Sequence, residues 1–280
     1  MKLRVVMLGD IVGSPGRLAV AQQIPVIRER YRPQLVLANA ENVVNGSGIK
    51  PETYRKLLDA GLDGMTLGDH AFRRKEIFPT LNSEPNIIRP ANLPAGAHGR
   101  GTMAFDVTVD NVVRRVHVIT VLGRIFMHNP PADDPFACVD AFLRQLDDDR
   151  AIVIVEAHTE ATSEKRALGW HLLGRATAVL GTHTHVPTAD AGILRRGGRT
   201  GTAYVTDLGM CGPYESILGR DPDRVLQFMT KAQPAPFDVA EGDVRVCGAV
   251  VDIDNDTGAA TAIERIELPA DVTRPPFTAR

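Results

Sequence analysis

Seven short apolar runs rich in β-branched residues constrain this chain more than any other feature. They are Leu3–Leu8, Leu35–Ala38, Met65–Leu67, Ile87–Ile88, Ala151–Val155, Ala176–Leu180 and Ala203–Val205, and each breaks off in glycine or polar residues. Unbroken runs of this length read as strands buried on both faces. Helical patterns lie between several of them. Ser14-Pro15 opens one, with serine as cap and proline in the first turn. Pro51 starts another that stops at Gly61, and Asp134–Asp149 and Thr162–Leu173 read as helices as well. Strands alternating with helices predict an α/β fold with a largely parallel central sheet. Thr102–Val109, Val113–Leu122, Val244–Ile253 and Ala259–Leu268 alternate with period two, which adds antiparallel strands and makes the sheet mixed. Asn255–Gly258 fits a hairpin turn between the last two. With no internal repeat or linker, residues 1–268 are expected to form one domain. Residues 269–280, with three prolines and little apolar content, are expected to form a frayed tail.

The chemistry-bearing residues follow the strands, where open α/β sheets place their sites. The strand ends read Gly9-Asp10, Asn39-Ala40-Glu41-Asn42, Gly68-Asp69-His70, Glu156-Ala157-His158 and Gly181-Thr182-His183-Thr184-His185. One aspartate after a strand is most often a helix cap, and one histidine most often a packing residue. Eight oxygen- and nitrogen-bearing groups at five strand ends are hard to assemble by chance. Carboxylate, amide oxygen and imidazole together suit borderline divalent ions such as Mn, Fe or Zn. Eight groups are too many for one ion and suit two that share a bridge. His183-x-His185 sharpens this, because two imidazoles just past a strand can converge on neighbouring ions.

Other motifs are weaker. Gly9–Gly16 has the spacing G-x-x-x-G-x-x-G, which is not the dinucleotide fingerprint, and is read as a tight turn exposing Asp10. No Gly-x-Ser-x-Gly elbow exists, and nothing singles out Cys211 as a thiol nucleophile. The 32 basic and 34 acidic residues give a net charge of −2, which argues against a dedicated nucleic-acid surface. Three scattered cysteines point away from a disulfide framework and towards a reducing compartment. No apolar stretch reaches the roughly 18 residues of a membrane span, and the N-terminal apolar run is too short for a signal peptide. A cytoplasmic protein acting on a small molecule is expected, without membrane contact.

The chain resembles the YmdB-like branch of the calcineurin-like metallophosphoesterases over nearly its whole length. The resemblance is carried by Gly9–Gly13, Ala40-Glu41-Asn42, Gly68-Asp69-His70, Arg89–Asn92, Gly123–Met127, His158–Lys165, Gly181–Val186 and Thr206–Met210. The long His158–Lys165 and Gly181–Val186 blocks are specific to this branch. The resemblance implies an α/β sandwich of two mixed β-sheets flanked by helices, a dinuclear centre, and phosphodiesterase activity on cyclic nucleotides. Carried over, Asp10, Asn42 and His185 would hold one ion, Asp69, His158 and His183 the other, and Glu41 would bridge them. His70 would be the catalytic histidine. The ions expected are two divalent transition metals, iron or manganese, with zinc an alternative. The protein is expected to be a homo-oligomer.

The mechanism implied has a hydroxide bridging the two ions attack phosphorus in line, with His70 protonating the leaving alkoxide. One position departs from the family pattern, which has asparagine where this chain has Asp69, and Ala71-Phe72-Arg73 departs from the usual aromatic-Asp continuation. The departure keeps open a regulatory protein that binds metal and nucleotide with slow or no turnover. A different two-metal hydrolase, such as an amidohydrolase, is the remaining alternative.

Overall fold

The structure is a computed structural model and describes residues 2–146, 148 and 150–273. In chain order it contains β1 (Leu3–Ile11), α1 (Gly13–Tyr31), β2 (Leu35–Asn39), α2 (Pro51–Asp59), β3 (Gly64–Thr66), α3 (Phe78–Ser83) and β4 (Ile87–Ile88). Then come β5 (Thr102–Val109), β6 (Val112–Leu122), α4 (Pro135–Leu143), β7 (Ile152–His158), α5 (Thr162–His171), β8 (Ala178–Thr182), β9 (Gly192–Arg196) and β10 (Arg199–Val205). β11 (Met210–Pro213), α6 (Pro222–Lys231), β12 (Val244–Ile253) and β13 (Ala260–Pro269) complete the order.

The strands form two mixed sheets, not the single central sheet that strand–helix alternation alone suggests. One has seven strands in the order β13-β12-β11-β1-β2-β3-β4, the other six in the order β5-β6-β7-β8-β10-β9. β1 through β4 run parallel, and β12 pairs antiparallel with β1, β11 and β13. In the second sheet β6, β7, β8 and β10 are parallel, with β5 and β9 antiparallel at its edges.

Side-chain alternation assigns each face to a layer. Leu3, Val5 and Met7 of β1 meet Val116, Val118, Ile152, Ile154, Leu180 and Val205 of the other sheet, forming the core between the sheets. The opposite face of β1, Val6 and Leu8, packs under Val20, Ile24 and Ile27 of α1. Val153, Val155 and Val179 face outward on the second sheet and are covered by Val139 of α4 and Leu168 of α5. The result is a four-layer sandwich, helix–sheet–sheet–helix, with both strongly parallel sheets covered on both faces.

Several local expectations shift. α1 starts at Gly13 and is capped by extended Val12 with no side-chain bond, so Ser14 is not its cap. The Gly13 amide donates instead to the Asn42 carbonyl, which ties the helix start to the loop after β2. α2 starts at Pro51, and Gly61 lies beyond its end at φ +106°. Asp134 caps α4, which stops at Leu143; Asp147 and Asp149 of the expected helix lie outside the described residues. β13 reaches Pro269, Ala270 donates to the Val244 carbonyl, and Val272 packs on the first core. The rest of the expected tail, 274–280, lies outside the described residues.

Candidate metal centre

The C-terminal ends of β1, β2 and β3 from one sheet meet those of β7 and β8 from the other along one rim. Asp10 lies near the end of β1, Asn39 ends β2, and His158 ends β7. Glu41 and Asn42 follow β2, Asp69 and His70 follow β3, and His183 to His185 follow β8.

The expected residues fall into two groups that share Glu41. In the first, Glu41, Asp69, His158 and His183 each offer one donor atom, all within 4.8 Å of one another. His158 Nε2 lies 3.1 Å from Asp69 Oδ1 and 3.4 Å from Glu41 Oε1. His183 Nδ1 lies 3.1 Å from His158 Nε2 and 3.2 Å from Asp69 Oδ1. In the second, Asn42 Nδ2 donates to His185 Nε2 at 3.3 Å, and that nitrogen lies 3.8 Å from Asp10 Oδ1. Asn42 also donates to Glu41 Oε1 at 3.2 Å, which joins the groups. Gly68 makes the first group possible, because a Cβ there would run into the His158 ring and the Glu41 carboxylate. His70 stands at the edge. Its Nδ1–H donates to Asn42 Oδ1 at 2.7 Å, its main-chain amide donates to Glu41 Oε2, and its Nε2 lies 3.4 Å from Asp69 Oδ2.

Each of the three clustered imidazoles has one nitrogen tied outward. His158 Nδ1–H donates to Thr182 Oγ1 at 2.9 Å, and that hydroxyl donates to Glu156 Oε1 at 2.6 Å. His183 Nε2 faces Glu160 Oε2 at 3.1 Å, and His185 Nδ1–H donates to the Leu218 carbonyl at 3.0 Å. The other nitrogen of each ring therefore points inward among the carboxylates, the arrangement that prepares a histidine to bind a metal in place of a proton. The oxygen side is braced too: Asn39 donates to Glu156 Oε1 and accepts from the Glu41 amide.

His183 and His185 hold left-handed backbone, at φ +88° and +64°. Such conformations cost about 1–3 kcal/mol each and persist only where the surroundings fix them. A buried ion pair does so here. Lys165 Nζ donates to Asp207 Oδ2 at 2.6 Å, to the Thr182 carbonyl at 2.6 Å and to Thr184 Oγ1 at 3.3 Å. Asp207 Oδ2 also accepts from the Thr184 amide and hydroxyl. Sequence reasoning missed this pair. A signal existed, since Lys165 shares the helical stripe of Leu168 and Leu172, both buried, and a lysine there must find a buried partner.

Asp10 is buried, not exposed as the turn reading supposes. Its Oδ2 accepts from the His183 amide, while Oδ1 is buried and accepts no hydrogen bond. Burial pushes its carboxyl up to about 7, with Glu41, Asp207 and Glu156 adding to the rise against the pull of His158. Burial also acts against ionised Glu41 and Asp69, but the imidazole of His158, joined at Asp69 by His183, carries both below the usual carboxylate range. Burial opposes protonation of His158 and His70, yet the surrounding carboxylates raise both, His158 well above the ordinary histidine value. Burial lowers His185. Crowded buried oxygens that draw protons onto neighbouring rings are a site built for cations. An unpartnered carboxylate oxygen on Asp10, three inward-facing ring nitrogens and a mixed carboxylate–imidazole set fit borderline divalent ions. Cys211 is buried, donates its thiol to the Cys247 carbonyl and is pushed well above the ordinary thiol range by burial, which removes it as a nucleophile.

The family model described as YmdB-like protein matches residues 6–266. The 2′,3′-cyclic-nucleotide 2′-phosphodiesterase of Bacillus subtilis (strain 168) is 42% identical over 269 residues, covering 96% of this chain and 98% of that protein. Among solved structures, a hypothetical protein of Thermus thermophilus is 40% identical with a TM-score of 0.85, covering 96% of this chain and all of that one. A novel phosphatase of Mycoplasma pneumoniae is 28% identical with a TM-score of 0.87, covering 96% and 94%.

Proposed function

The chain belongs to the YmdB-like protein family, and on that premise we propose that it is a metal-dependent phosphodiesterase that hydrolyses cyclic nucleotides. The observation that carries the reading is the outward tie on each of His158, His183 and His185, which turns three ring nitrogens inward among buried carboxylates. In this reading Asp10, Asn42 and His185 would hold one ion and Asp69, His158 and His183 a second, with Glu41 available to both. Iron or manganese suits the donors, with zinc an alternative. When bound, such ions hold phosphoryl oxygens and bring the pKa of a bound water towards neutrality.

The chain's own residues supply the rest. His70 is fixed through Nδ1 to Asn42, so Nε2 is the atom that delivers a proton to the leaving alkoxide. Asn42 thereby links the proton donor to the His185 group. Residues 1–268 act as a single unit in this reading, because the core between the sheets is what brings the two sets of loops together. The reading also includes the cytoplasm, supported by buried free thiols at Cys211 and Cys247, and self-association, supported by exposed Ile125 and Phe126.

Elemental analysis of protein purified without added metal should approach two transition-metal ions per chain, and chelation should abolish turnover of bis-p-nitrophenyl phosphate. His70→Ala should keep both ions yet lose ~10²-fold or more on alkoxide leaving groups and much less on p-nitrophenolate. A stoichiometry fixed at one ion overturns the two-ion centre. Metal binding without phosphodiester turnover supports the regulatory reading instead.

A further inference from the structure

A cleft of about 350 Å³ opens beside the centre, within the size range of small-ligand sites. Its floor carries Glu41, Asn42, His70, His183 and His185. Its wall is apolar: Ile217, Leu218, Val225, Met229 and Phe237. Floor and wall are joined directly, since the Leu218 carbonyl receives the His185 Nδ1–H. Leu218 is 50% exposed and Met229 70% exposed, and Val225 is the buried residue of α6.

Two features argue that this wall is built for a ligand. Leu218 holds φ +53°, a left-handed conformation that glycine adopts without strain, yet the position carries a half-exposed leucine. Arg220, a cation lining the cleft, donates to the carbonyls of Asn45, Gly46 and Phe237. It therefore braces the wall against the loop that follows Asn42, with three of its five N–H groups given to these carbonyls.

Resting on the phosphodiesterase reading, we propose that this wall takes the nucleobase of the substrate by face contact while the phosphate lies over the floor. The five apolar side chains of the wall present no hydrogen-bonding group beyond the thioether sulfur, so they favour the face of a flat aromatic ring; Glu160, Thr184 and Arg220 also line the cleft. Purine and pyrimidine esters should both bind, and an ester lacking a base should bind poorly.

The test compares 2′,3′-cyclic AMP, 2′,3′-cyclic CMP and glycerol 1,2-cyclic phosphate in wild type, Leu218→Gly and Met229→Gln. Direct binding of adenosine 3′-monophosphate and thermal melting are measured in parallel. Leu218→Gly keeps the carbonyl that His185 uses and relieves the backbone strain, so its Tm should hold or rise. KM for both cyclic nucleotides, and Kd for the monophosphate, should rise about tenfold. Met229→Gln should raise both KM values and the monophosphate Kd in the same direction, and its turnover of the glycerol ester should not change. Parallel changes on all three esters overturn the subsite, as does an unchanged KM. A shift in oligomeric state with unchanged nucleotide binding overturns it too and makes the wall a subunit contact. If wild type turns over none of the esters, the phosphodiesterase reading falls. The monophosphate titration then decides the subsite alone: a tenfold weakening supports it, and unchanged binding overturns it.

Discussion

The proposed oxygen ligands, Asp10, Glu41, Asn42 and Asp69, all come from the seven-stranded sheet, and the proposed imidazole ligands, His158, His183 and His185, all come from the six-stranded sheet. The two halves are held differently. His158 rests on buried Thr182 and Glu156 of its own sheet, and the His183–His185 loop is clamped by the buried Lys165–Asp207 pair. The oxygens crowd together, and Asp10 Oδ1 has no hydrogen bond. One half is a preformed frame, and the other is a concentration of negative charge completed by whatever cation it meets. Neither half is a site alone, so the packing of Leu3, Val5 and Met7 against the other sheet contributes to the chemistry as much as the ligands do.

Removing the frame should have the largest effect. Lys165→Met leaves Asp207 buried without its cation, which should cost about 3–5 kcal/mol in urea denaturation. The same variant should weaken metal binding about 10–100-fold, because the His183–His185 loop loses its clamp. Unchanged metal affinity would mean that the imidazole half is not held by this pair.

Charge on the oxygen half should show next, as a pH dependence of protein stripped of metal. Asp10 is raised from 3.8 to about 7, so its stabilising proton is fully effective below the lower value and lost as pH climbs to the upper. His158, also raised, contributes below the ordinary 6.5 and loses that contribution as pH passes its higher folded value. Glu41 and Asp69 are lowered, so they stabilise above the ordinary carboxylate range and lose this as pH falls below it. Metal-free protein should therefore be most stable in mild acid and weaker at pH ~8, by a few kcal/mol at about 1.4 kcal/mol per pKa unit. Manganese-loaded protein should not weaken over that range, because cations replace the protons. Parallel urea curves at both pH values check this, and identical slopes with and without metal would erase the contrast between the halves.

The smallest effect should come from Asp69→Asn, which removes one anion and keeps an oxygen donor. Less negative charge should release metal to a chelator a few times faster and lower the acidic-limb pKa of the pH–rate profile by less than about one unit. Superimposable curves would show the position to be electrostatically silent.

The strand ends were legible because buried parallel strands leave an unmistakable apolar run, and the polar residues beyond each one have nowhere else to go. Asp10, Glu41, Asp69, His158 and His183 could be picked out for that reason. The division into two sheets was not legible in periodicity, since Ile152–His158 and Leu35–Asn39 look alike whichever sheet receives them. β11 was invisible, being four residues long with a glycine and a proline. The cleft wall was missed because Leu218, Met229 and Phe237 carry no chemistry by type. They matter only where the chain sets them down beside the histidines.

The hydrogen bond from the His183 amide to Asp10 spans 173 positions in the chain. On a ribosome, Asp10, Glu41 and Asp69 emerge early, and the histidine loop after β8 comes more than a hundred residues later. Contacts of such long range close late and slowly in folding. The centre is therefore among the last parts of the protein to exist, and an interrupted chain ending before His183 carries the acids without the rings that would let them work.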